Sequence, residues 1–205
     1  MNKKLRSLAI LGMVSAVAAS HAVVFDLNFV YTGATPGGTA PWVRVTVNDV
    51  AANKVNLKIE HLSGSSSGQF ISNVYLNLNP IFNSMSVSNE VNANKRNGAL
   101  TFGNGSINGG GQSWDMRVSF ETSNSGGGVN RLKPNELWSA DLSASGLSAS
   151  TFLDTNGDGS YAGAHLQGIA GGLSSHISSV VPEPTSMAAL AIGAVGLFLR
   201  RRKKA

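Results

Sequence analysis

Apolar and polar residues alternate along most of the chain from Val23 onward. Phe25, Leu27, Phe29 and Tyr31 alternate with Asp26, Asn28 and Val30. Val43, Val45 and Val47 alternate with Arg44, Thr46 and Asn48, and Val55, Leu57 and Ile59 with Asn56, Lys58 and Glu60. The same period of two runs through Val74, Leu76 and Leu78, through Trp114, Met116, Val118 and Phe120, and through Trp138, Ala140 and Leu142. Successive side chains of a strand point to opposite faces, so each segment predicts a strand with one face in a core and one in water. Segments 35–41, 63–68, 103–111 and 123–128 are rich in Gly, Ser, Asn and Pro and predict the connections. With no amphipathic helix among them, these elements predict an all-β fold, an antiparallel β-sandwich or jelly roll.

Both ends break the alternation. Residues 1–22 combine a basic start, an apolar run from Leu8 to Ala19, and Ser20-His21-Ala22. Small residues at the −3 and −1 positions suit a signal peptidase, which predicts a secretory signal peptide cut after Ala22. At the other end Val181-Pro182-Glu183-Pro184 precedes an uncharged stretch from Thr185 to Leu199, followed by Arg200, Arg201, Arg202, Lys203 and Lys204. Fifteen helical residues cover about 22 Å, the short limit for crossing a hydrocarbon core of about 30 Å. The stretch predicts a short C-terminal transmembrane helix whose basic flank stays on the cytoplasmic side, leaving the body outside the inner membrane.

Charge changes meaning once it is divided along the chain. The formal net charge is +5 and the pI about 9.7. Eight of the basic residues lie at the two termini. The body from Val23 to Val181 has eight basic and ten acidic residues, a net of −2, so it lacks the basic footprint of a nucleic-acid binder. The chain has no cysteine, which excludes disulfides, thiolate metal sites and thiol catalysis.

The order Pro182-Glu183-Pro184, Gly/Ala/Leu-rich span and terminal Arg/Lys run resembles the PEP-CTERM sorting signal of exported bacterial proteins. That resemblance implies recognition by an exosortase-like membrane transpeptidase and removal of the tail. It also implies a destination at the cell surface, in the outer envelope or outside the cell, often in hosts that make exopolysaccharide. Two prolines keep the motif extended and accessible. Segments 31–42, 70–80 and 164–169 are similar to a recurrent group of PEP-CTERM proteins whose ectodomain has no assigned role. The expected organisation is a signal peptide at 1–22, an ectodomain at 23–173, a linker at 174–181 and a sorting segment at 182–205.

Few residues of the body suggest chemistry. Asp154, Asn156 and Asp158, with Gly159, match the front half of a calcium loop, in which oxygens at alternate positions converge on one cation. The twelfth loop position is His165 rather than the required Glu, and the alternative is an Asn-Gly/Asp-Gly turn joining two strands. His165 reads either as a metal or general-base group near those acids or as a structural residue bonded within the sheet. His61 and His176 stand alone beside loop or linker, which predicts exposure. Trp114 and Trp138 fall in phase with core residues. Trp42, after Pro41 at a loop exit, is the candidate for stacking on a sugar ring.

No nucleophile elbow, P-loop or zinc-protease motif is present. The expectation is a non-enzymatic exported protein with a structural or interaction-type ectodomain and no cofactor beyond a calcium ion at the Asp154 loop. Its partners would be signal peptidase, the sorting enzyme, the inner membrane before processing, and exopolysaccharide. A carbohydrate-binding module is the alternative. A hydrolase, which needs a pocket with two carboxylates or His165 with an acid, is the third reading.

Overall fold

Eleven strands carry most of the described chain in this computed structural model, which describes residues 21–180. Most of the expected leader, the Pro182-Glu183-Pro184 motif, the apolar run and the basic tail Arg200–Lys204 lie outside the described residues. In chain order the strands are β1 Ala22–Leu27, β2 Phe29–Gly33, β3 Val43–Ala51, β4 Lys54–His61, β5 Phe70–Leu76 and β6 Ser86–Val91. They continue with β7 Thr101–Gly109, β8 Gln112–Ser119, β9 Glu136–Ser143, β10 Ser160–Ile169 and β11 Leu173–Val180. One sheet has the order β1-β3-β4-β9-β6 and the other β2-β11-β10-β5-β8-β7. Every neighbouring pair in both sheets is antiparallel. Among the described residues no helix is long and apolar enough to cross a membrane.

Alternation has the expected effect. Val43, Val45, Val47, Leu57, Ile59, Trp138 and Leu142 of the first sheet share one buried cluster with Val74, Leu76, Met116, Val118, Ala164, Leu166 and Ile177 of the second. The all-β sandwich is therefore the fold. Removing this apolar surface from water is its main support, at about 25 cal/mol per Å². The outward positions of β3, β4 and β9 are polar and in register: Asn48 pairs with Asn56 and Asn56 with Asp141, while Thr46 pairs with Lys58 and Lys58 with Ser139.

Three local readings change. The run from Phe25 to Tyr31 is divided at Asn28, whose N–H donates to Ser178 O at 3.2 Å, so β1 joins one sheet and β2 the other. Alternation identifies extended chain but does not name its partner. Segment 103–111 is mostly strand, since β7 continues to Gly109 and turns only at Gly110 and Gly111. The linker expected at 174–181 is β11, which lies between β10 and β2. Its serines read as spacer, yet Ser175, Ser178 and Ser179 are buried. Small side chains let the strand sit close beneath its neighbours, and its ladder hydrogen bonds do not depend on side-chain type.

A second apolar cluster of Tyr75, Ile107 and Trp114 forms apart from the main core. Tyr75 and Gly163 are cross-strand partners, and a Cβ on Gly163 would lie 2.7 Å from Trp114 Cζ2. Tyr75 faces away from Val74 and Leu76, so this cluster lies on the outer side of the six-stranded sheet. The β7–β8 turn folds across it: Tyr31 Oη donates to Gly109 O at 2.7 Å. Gly110 has φ +65° and a Cβ there would come within 2.5 Å of His176 Cγ, so glycine is required on both counts. Trp114 is buried as expected, but under this hairpin rather than between the sheets.

Candidate functional site

The chain enters and leaves the sandwich at neighbouring places. β1 runs on into β2 across Asn28, and β11 is antiparallel to β2, so the chain exits towards the end at which it entered. Phe25 of β1 stacks on Tyr161 of β10 at 5.5 Å, beside the exit. The exit is held firmly. Ser179 Oγ accepts the Ala162 N–H at 3.1 Å and donates to Ala162 O at 3.3 Å. Val180 is the Cα partner of Ser160, whose carbonyl accepts from Asn77 Nδ2 at 2.8 Å. Pro182 follows two residues later, within about 7 Å of the last paired residue.

At the entry, Ala22 is already paired with Asn48, and His21 O accepts the Asp49 N–H at 3.0 Å. The bond expected to be cut by signal peptidase, after Ala22, therefore lies between the first two rungs of β1. A cut there removes His21 and Ala22, and with them the carbonyl that accepts the Asp49 N–H.

The Asp154–Gly159 loop is organised around one amide. Asn156 Oδ1 accepts the N–H groups of Asp158 at 3.1 Å and Ser160 at 2.9 Å, and Asn156 Nδ2 donates to Gln112 Oε1 at 3.0 Å. Asp154 Oδ1 accepts the Thr155 N–H at 3.0 Å. This is an Asx-type turn leading into β10. Among the described residues no group of three or more His, Cys, Asp or Glu gathers to hold a metal. Asn156→Ala is expected to cost roughly 1–2 kcal/mol, because two backbone donors lose their acceptor. Thermal melts should show the same loss in chelator and in millimolar calcium. A melting temperature raised by calcium in the native chain, but not in Asn156→Ala, would establish the metal reading.

The stacking platform expected of Trp42 is absent, because its ring is only 6% exposed and packs in the main core. Trp138 lies in the same core, with its ring edge-on to Phe120 at 5.9 Å. Its Nε1–H donates to Glu90 Oε1 at 2.7 Å. Arg96 grips the same carboxylate from Nε at 2.6 Å and Nη2 at 2.9 Å. The Arg96 bonds, then the indole bond, hold Glu90 below the usual carboxylate range. Asp141 is lowered to about 2 by hydrogen bonds from Asn56, Asn89 and Lys54 on the outer face of the first sheet.

The histidines differ from the expectation of exposure. His61 is 1% exposed, and burial lowers it to about 4. Its Nδ1 lies 3.0 Å from Leu132 O, so Nδ1 carries the proton and donates. Nε2 is buried with no partner. His165 and His176 are cross-strand partners with parallel rings 4.1 Å apart. His165 Nδ1 meets Ser72 Oγ at 2.9 Å, the structural role weighed for it. Burial lowers both, and His176, also repelled by His165, falls to about 4. His61 and His176 escaped the sequence reading because their neighbours come from distant strands.

A shallow pocket of about 230 Å³ opens beside Glu60, His61, Ser63, Asn135 and Glu136. Its carboxylates diverge. Glu136 is the cross-strand partner of the core-facing His61, whereas Glu60 pairs with Arg44 and Leu137 on the opposite face. Glu136 Oε2 is taken by Lys95 Nζ and by the Lys133 N–H, each at 2.7 Å. The pair lacks the convergence that two-carboxylate hydrolysis requires.

The functional signal with a known counterpart is therefore at the exit. Residues 180–203 match the family described as the PEP-CTERM protein-sorting motif. No curated protein and no solved structure matches the chain. The match starts at Val180, the last residue of β11. The chain is a PEP-CTERM sorting domain-containing protein in which the motif follows the fold without a spacer.

Proposed function

We propose that this protein is exported as a membrane-held precursor, cut near Pro182-Glu183-Pro184 by an exosortase-like transpeptidase, and delivered to the cell surface or extracellular matrix as a non-catalytic interaction domain. The sorting motif at 180–203, starting at the end of β11, carries the reading. The ectodomain supports a structural role through its two-sheet core and a first sheet whose outer face is polar and in register. Rows such as Asn48 with Asn56 and Thr46 with Lys58 offer hydrogen-bonding groups to a hydrated glycan without an aromatic platform. Exopolysaccharide is the partner this face suits best.

Intact mass spectrometry of the protein from its native host tests the proposal. The expected mass lacks the leader and everything beyond the motif, in protein that fractionates with exopolysaccharide. A mass that retains Arg200–Lys204 overturns the sorting step. Correctly trimmed protein recovered free of polysaccharide overturns the glycan partner alone.

A further inference from the structure

Where the chain enters and leaves, the sandwich carries apolar side chains that its core does not use. Val50, Ile81 and Leu153 are 50%, 46% and 48% exposed. They come from three segments joined through the 3-10 turn Ala149–Phe152. The Ala149 N–H donates to Asp49 Oδ1 at 2.7 Å, next to Val50. The Asn79 N–H donates to Thr151 O at 2.9 Å, two residues before Ile81, and the Leu153 N–H donates to Ser150 O at 3.1 Å. The charges nearby are engaged: Lys54 Nζ reaches Asp141 at 2.9 Å, and Asp154 Oδ1 accepts the Thr155 N–H. Val24, Phe29, Val91, Val129 and Leu173 are also exposed, on β1, β2, β6, the loop before β9 and β11.

This patch shares its end of the fold with the entry strand. Ala22 pairs with Asn48, two residues from Val50. β11 heads towards the same end, and the apolar run starts at Thr185, five residues on from Val180. Five residues span at most about 17 Å, against a headgroup layer of about 5–8 Å on each side of the bilayer. The tether therefore holds the body of the precursor within about 10 Å of the headgroups.

We propose that this end of the sandwich rests on the bilayer in the membrane-held precursor, with Val50, Ile81 and Leu153 entering the interface. The proposal rests on the sorting reading, since the apolar run supplies the tether. The tether gives the weak apolar contact a high effective concentration. Once the tail is cut, three side chains alone do not hold the domain, and it leaves the surface. The seat thus fixes how the ectodomain stands while the motif is presented, and it lapses with processing.

The absence of native cysteine makes the test direct. Full-length precursor carrying Leu153→Cys, Val50→Cys or Ser67→Cys is labelled with an environment-sensitive fluorophore. Each is reconstituted in phosphatidylethanolamine/phosphatidylglycerol vesicles containing nitroxide lipid. Ser67 lies in the exposed loop after β4, at the far end from the β3–β4 turn. Labels at 153 and 50 should be quenched about two-fold or more over the label at 67. Circular dichroism checks that each variant is folded, and the exposed Leu153 position alone suffices if Val50→Cys is not. Equal quenching in precursor that floats with the vesicles overturns the seat and spares the sorting reading. Precursor that does not float overturns both.

Discussion

Replacing Pro182, Glu183 and Pro184 together by alanine is expected to leave the precursor uncut, with the Arg200–Lys204 tail still present in the intact mass. The effect is all-or-none because the fold offers the enzyme nothing else to grip at this point. Ser179 is clasped to Ala162 from both sides, and Val180 is the last residue paired in the sheet. The processing enzyme thus meets a rigid domain edge and then, within about 7 Å, the motif. Alanine removes two residues whose rings disfavour helix and the carboxylate between them. An insertion of six Gly/Ser residues after Val180, with the motif intact, separates recognition from crowding. It should be processed at least as fast as the native chain. Normal trimming of the alanine variant would falsify the role of the motif and shift recognition to the apolar run or the basic tail.

A large loss of stability is expected as pH falls from 7 to 5. His61 is held neutral by burial, at about 4, against an ordinary value of 6.5. Its Nδ1 proton is committed to Leu132 O, so the incoming proton must go to Nε2, which is buried without an acceptor. Glu136, the nearby acid, favours the charged form but is tied to Lys95. The folded state therefore refuses a proton that the unfolded chain takes up. The stability of the folded state is complete above pH 6.5 and declines as pH falls towards 4, by about 3 kcal/mol from His61 alone. His176, stacked on His165, acts in the same direction with a smaller share because it is only half buried. Below that range Glu90 and Asp141 add a second loss, since their bonded carboxylates must be protonated at still lower pH. Denaturant titrations at pH 7.5, 6 and 5 measure the slope. His61→Gln should lower it by about one proton, and an unchanged slope would show that the imidazole is already charged in the fold.

Much of the architecture was legible in the sequence. The alternating segments at Val43, Val55, Val74 and Trp138 are strands, and their apolar faces meet in one core. The reading failed where side-chain type stopped reporting on backbone partnership. Leu173–Val180 is serine-rich, yet it is a central strand, because ladder hydrogen bonds and close packing tolerate serine. Trp42 looked free because Pro41 and the loop precede it. Its burial depends on β1 and β3 closing over it, with the Trp42 N–H donating to Leu27 O at 3.2 Å. The Asp154 loop was read in two ways from one pattern, and the hydrogen bonds of Asn156 favour the turn.

By itself the sequence determined the class of fold, the anionic character of the body and the presence of a sorting signal. Each is encoded locally, in a period of two, in the positions of charges, or in a short ordered motif. Tertiary structure alone decided that His61 is sealed and that His165 and His176 stack. It also decided that Glu60 and Glu136 point apart, and that the segments carrying Val50, Ile81 and Leu153 are joined through the turn Ala149–Phe152. These are relations between residues far apart in the chain, set by strand order and register, and no local pattern carries that information.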